Sequence, residues 1–231
     1  MTAHALNPCL ERVVRAEEHL IDLRQRLTFV FQQQENAIVA QFARGSVRPT
    51  LIPPSETFVT MRIGVLIGEI CYNLRSALDY LIFALAEHDS GTKQQGTQFP
   101  IVDTIKDFRW RTKTWLKGIN LAHIAEIETL QPYCGCNATK ILRDLSNRDK
   151  HREFADIKGD FVAYGYIPGD PEFIRLPGPA RRTPHPIHGE MDVKINFTAR
   201  ITFADETPIV ETLEVVKLFV AETLEAFKSV F

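Results

Sequence analysis

Across residues 55–88, Ile63, Leu66, Ile67, Ile70, Leu74, Leu78, Leu81 and Leu85 recur at steps of three and four positions. That is the helical period, and it paints an unusually wide apolar face. One neighbouring element cannot cover such a face, so the chain has to fold around this helix. Ser55 is suited to cap its start. Other segments offer the cover. Asn7-Pro8 opens a helix over residues 8–34, in which Leu10, Val13, Leu20, Leu23, Leu27, Val30 and Phe31 keep the same period. Thr207-Pro208 opens a last helix, residues 208–231, striped by Ile209, Leu213, Val216, Val220, Leu224, Phe227 and Phe231. Shorter helices are expected at residues 103–118, 122–130 and 139–154, the first two ended by Gly118 and Pro132.

Elsewhere the period shortens to two. In residues 36–53, β-branched and aromatic positions are broken by Gly45-Ser46, which predicts a hairpin of residues 37–43 with 47–52. Residues 155–167 and 191–204 read as strands, with Val193, Ile195, Phe197, Ala199, Ile201 and Phe203 on one face. The 231 residues are thus expected to form a single α+β domain, mainly a helical bundle with a small antiparallel sheet, its strands within 36–53 and 155–205.

Composition narrows the function classes. Twenty-seven Lys and Arg against 29 Asp and Glu leave a formal charge of -2, so nucleic-acid or membrane binding would need a local patch. No apolar run reaches the ~18 residues of a membrane span, and residues 1–10 lack a leader pattern, which predicts a cytoplasmic protein. Cys134-Gly135-Cys136 has no second cysteine pair, and His123 with Glu126 lacks a matching pair of ligands, so neither a metal nor another cofactor is expected.

Two groups of polar residues stand out. At ~100° per residue, Tyr72, Arg75 and Asp79 fall together on the second long helix, and Asp149 and Arg152 continue the apolar stripe of Ile141, Leu142 and Leu145. Charges in core positions must be paired, which suggests a shared network of Arg75, Asp79, Asp149 and Arg152. Such a network either fixes helix register or belongs to a functional site. The second group is Arg109, Trp110, Arg111, Lys113 and Lys117. Helical spacing puts Trp110, Lys113 and Lys117 on a face opposite Ile105, Phe108, Trp115 and Ile119. An outward Trp among cations can stack on bases while the cations hold phosphates; a solvated basic face is the plainer alternative.

Four stretches carry a resemblance: Gly68-Glu69-Ile70-Cys71-Tyr72-Asn73-Leu74-Arg75-Ser76-Ala77-Leu78-Asp79, Phe99-Pro100-Ile101, Gln131-Pro132-Tyr133 and Leu145-Ser146-Asn147-Arg148-Asp149-Lys150-His151-Arg152. Together they resemble a widespread family of uncharacterised bacterial proteins. The Asn147-to-Arg152 ending is also distantly similar to the HEPN superfamily of helical-bundle ribonucleases and nucleic-acid-linked interaction domains. Seven residues separate Arg143 from His151 and two separate Arg148 from it, neither being the superfamily's Arg–His spacing. The resemblance therefore implies the fold more than the catalysis.

The leading functional expectation is a HEPN-like bundle that binds RNA or a partner protein in bacterial stress or defence. A second is a metal-independent endoribonuclease, with His151 as general acid or base, Arg148 at the scissile phosphate and Asn147 beside them. A third is a purely structural dimer module. A homodimer is expected from the length of the last apolar stripe.

Overall fold

The computed structural model describes residues 5–42, 56–150, 158–165, 174–175, 196–202 and 207–231, with side chains described for 5–29, 62–147 and 207–231. The chain divides into two compact units, Met1–Leu23 with Arg62–Ala155 and Val210–Phe231, and Arg24–Met61 with Asp156–Ile209. In chain order the elements are α1 (Asn7–Phe42), α2 (Glu56–Ser90), α3 (Ile105–Trp115), α4 (Leu121–Thr129), a 3-10 turn (Pro132–Cys134), α5 (Asn137–Lys150), β1 (Lys158–Gly165), β2 (Ile174–Arg175), β3 (Asn196–Thr202), α6 (Ile209–Ala226) and a closing 3-10 turn (Phe227–Val230).

Helix α2 is the axis of the first unit. Ile70, Leu74, Leu78, Leu81, Ile82 and Leu85 are each wholly buried, as the wide apolar face demands. Helix α1 runs antiparallel to it. Arg12 near its start donates to Asn73 Oδ1 at 3.2 Å and stacks on the Tyr80 ring at 5.5 Å, while His19, two turns on, reaches Glu69 at 3.5 Å. Cys9, Ala16, Leu20 and Leu23 form the inward stripe of α1. Burial pushes the Cys9 thiol up to about 12, so this cysteine acts as a small core hydrophobe.

Helix α6 supplies Leu213, Val216, Val220, Leu224 and Phe227 to the interior, and its Lys217 pairs with Glu17 of α1. The stripe expected to join two chains is therefore spent on packing within one. At the far end, His88 of α2 meets the Phe231 ring edge-on, with centroids 5.4 Å apart.

Two expectations are corrected. The α+β fold class does not hold, because the described residues are mostly helical and the regular elements described in the first unit are all helices. Within this unit the wide face of α2 is met by buried residues of α1 and α6. Strand β1 pairs antiparallel with β2 and β3 in the second unit, Phe161 opposite Ala199. The expected strand at 37–43 is instead the continuation of α1 to Phe42. A helix already nucleated extends at the gain of one hydrogen bond per residue, and Asn36 to Phe42 contains no Gly or Pro to stop it. Residues 47–52 lie outside the described set. Among the described residues, no helix is long and apolar enough to cross a membrane.

Candidate functional site

Helix α3 begins at a built cap. The Thr104 hydroxyl accepts from the Asp107 N–H at 3.1 Å, and in turn donates to the Asp107 carboxylate at 2.7 Å. Its inward anchor is Phe108, 1% exposed, set edge-on against Tyr133 at 6.4 Å. This fixes which face of α3 looks outward. The helix closes at Trp115, and the chain turns back through Gly118 at φ +79°. A Cβ there would stand 3.1 Å from the Ser90 side chain as well as in a left-handed backbone, so the turn requires glycine.

On the outward face, Lys106, Arg109 and Lys113 are exposed and Trp110 is 59% exposed, and Lys117 is exposed in the turn that follows. Between residues 104 and 118 there are five cations and one acid, Asp107, which is engaged by the cap. Among the described residues none of these five cations forms a salt bridge. Elsewhere in the unit Arg143 bonds Asp103 at 2.6 Å and Asp144 at 2.8 Å, Arg15 bonds Glu18, and Lys228 bonds Glu225, while Arg12, Lys93 and Lys140 have no salt bridge among the described residues. The Asp103 bond and Asp144 raise the pKa of Arg143, against a smaller opposing effect of burial.

The expected arrangement of this face needs one change. Lys117 lies beyond the end of the helix, in the turn, and does not continue its face. The Arg111 guanidinium lies over both indoles, 4.5 Å from the Trp110 centroid and 4.0 Å from that of Trp115. The spacing of Arg111 and Trp115, four apart on a helix, was the available signal for the second contact.

The other group resolves differently. Arg75 Nη2 lies 3.6 Å from Asp79 Oδ1, and the pair grips the backbone of Phe99. Asp79 Oδ1 accepts the Phe99 N–H at 2.9 Å, and Arg75 donates to the Phe99 carbonyl. Burial lowers the pKa of Arg75, and the charge of Asp79 works the other way. Phe99 is itself wholly buried, so this pair serves to seat the segment after α2. Tyr72 is 61% exposed beside Arg12, 5.8 Å from its ring. Asn147 is exposed on α5, whose last turn carries the backbone of Arg148 and Asp149. The side chains of Arg148 and Asp149, and all of His151 and Arg152, lie outside the described residues.

One cluster escaped sequence reading. The Asp89 side chain, 4% exposed, accepts from the Asn120 N–H at 2.9 Å and contacts Nδ1 of His123 at 2.8 Å and of His88 at 3.2 Å. Asn120 in turn caps α4, accepting the His123 N–H at 2.9 Å. Burial alone would raise the Asp89 pKa, but the Asn120 N–H and the two imidazoles outweigh it and hold the carboxylate below its usual range. An acid in the last turn of a helix opposes the helix dipole and is the only hint the sequence offers that Asp89 needs partners elsewhere.

Comparison with known protein families, with curated proteins and with solved structures finds no match to this chain.

Proposed function

We propose that this protein is a HEPN-like helical-bundle protein that binds RNA through the outward face of α3. The observation that carries this reading is the set of five cations, Lys106, Arg109, Arg111, Lys113 and Lys117, without a salt-bridge partner among the described residues. Like charges so close together repel, and an acid of the chain or an external anion relieves them. In a chain of net charge -2, with paired cations elsewhere in the same unit, a polyanion meeting this one face is the economical partner. An exposed Trp in its midst favours a polyanion that also presents flat rings. The resemblance of the Asn147-to-Arg152 ending to nucleic-acid-linked bundles points the same way.

The test is fluorescence anisotropy of a labelled RNA as salt rises. Three to five phosphate contacts weaken binding by roughly ten- to several-hundred-fold between about 50 and 200 mM salt. Replacing Lys113 and Arg109 together with Ala should flatten that dependence. RNA affinity that ignores salt, or no RNA binding at low salt, would contradict the proposal.

A further inference from the structure

Arg111 is the member of this face that the structure treats differently. Asp107 stands one helical turn before it, at the usual pairing distance along a helix, yet the Asp107 carboxylate takes the Thr104 hydroxyl and Arg111 lies instead on two indoles. A guanidinium drawn to aromatic rings does not spend its N–H donors on them, and among the described residues those of Arg111 have no hydrogen-bond acceptor; their fork geometry suits a phosphate. In contact with both Trp110 and Trp115, at 4.5 and 4.0 Å from their centroids, it is also restrained before any ligand arrives. Trp115 is partly covered, whereas Trp110 is 59% exposed and retains a free ring surface.

We infer that Trp110 and Arg111 form a nucleotide subsite that selects single-stranded over duplex RNA: Arg111 takes a backbone phosphate and the open surface of Trp110 stacks the adjoining base. This rests on the RNA-binding reading of α3 and adds its substrate class. In a duplex the bases are stacked on one another and only phosphates are presented, so Trp110 gains nothing there; in a single strand a base can be splayed onto the indole. The remaining cations, Lys106, Arg109, Lys113 and Lys117, serve single strand and duplex alike because they meet phosphates as point charges.

The experiment uses the full chain with short oligoadenosine, oligouridine and the duplex the two form. The chain has two tryptophans, so Trp115→Phe leaves Trp110 as the sole indole while keeping an aromatic ring beneath Arg111. In that variant, oligoadenosine should quench the fluorescence saturably. Trp110→Ala should weaken binding of either single strand by about tenfold, the loss of one base–aromatic stack, and leave duplex affinity unchanged. Arg111→Lys should weaken single-strand binding several-fold with no change in salt dependence, since the charge is kept and the fork is lost. Equal affinity for single strand and duplex, with Trp110→Ala altering neither, would overturn the subsite and leave RNA binding by α3 standing. Failure of the unsubstituted protein to bind any of the three RNAs would overturn the RNA-binding reading itself.

Discussion

The charged residues of α2 and those of α3 are put to opposite uses. Arg75 and Asp79 lie 3.6 Å apart, are largely buried, and both spend a hydrogen bond on the backbone of Phe99. Lys106, Arg109, Arg111 and Lys113 are set on a capped helix and Lys117 in the turn after it, with no ion-pair partner among the described residues. Both groups invite a functional reading when seen as residue types. What separates them is where their hydrogen-bonding capacity goes: inward to the main chain in one case, outward in the other. A charged cluster whose donors and acceptors close on the fold is part of the scaffold, while one left open is available to a ligand.

The largest effect that can break this contrast comes from the scaffold pair. Asp79→Ala removes the acceptor of the Phe99 N–H and strips Arg75 of its counter-charge, so it should destabilise the fold by about 2–4 kcal/mol. Chemical denaturation measures this directly. A shift no larger than that of a surface substitution, within about 0.5 kcal/mol, would move Arg75 and Asp79 out of the scaffold.

Asp89 gives the next effect and adds a pH signature. Its folded pKa is depressed, so the stability it contributes is present above the ordinary carboxylate range, near 3.9, and is lost as pH falls through the lower folded value. Asp89→Asn should remove about 1–3 kcal/mol near neutral pH, because the buried contacts to Asn120 and His123 lose a charged acceptor. The variant should also lose stability less steeply than the parent on acidification below about pH 4. Parallel acid-stability curves for the two proteins would exclude Asp89 as the titrating group.

How much of this was legible follows the same contrast. The wide face of α2 could be read because Ile63, Leu66, Ile67, Ile70, Leu74, Leu78, Leu81 and Leu85 keep one local period. The end of α1 was misread because Ile38, Val39 and Phe42 have strand-like side chains, although nothing in residues 36–42 interrupts a helix already in progress. Pairing of Arg75 with Asp79 was visible at four-residue spacing, but their shared target was not. Phe99 lies 20 positions beyond Asp79 and is recognised through backbone atoms, which every residue type presents. Asp89 and His123 are 34 positions apart, and no local pattern relates them. Across α3 the cations were plain in the sequence, while the seat of Arg111 on Trp110 and Trp115 depended on how the side chains are turned.

The helix cap sharpens the comparison at a smaller scale. Thr104→Ala removes the hydroxyl that accepts the Asp107 N–H and should cost about 1 kcal/mol of stability. It also frees the Asp107 carboxylate, one turn from Arg111, so RNA affinity should fall along with stability. A cap variant that melts earlier yet binds RNA unchanged would show that the order of α3 does not matter to its face.

The most direct measurement sets stability and RNA affinity side by side for Lys113→Ala and Asp79→Ala, each assayed below its melting range. The account predicts a clean separation. Lys113→Ala should alter stability by less than about 0.5 kcal/mol while weakening RNA binding and lowering its salt slope by about one. Asp79→Ala should melt markedly earlier and, while folded, bind RNA as the parent does. If folded Asp79→Ala loses RNA affinity as Lys113→Ala does, the division between a closed scaffold pair and an open binding face is wrong.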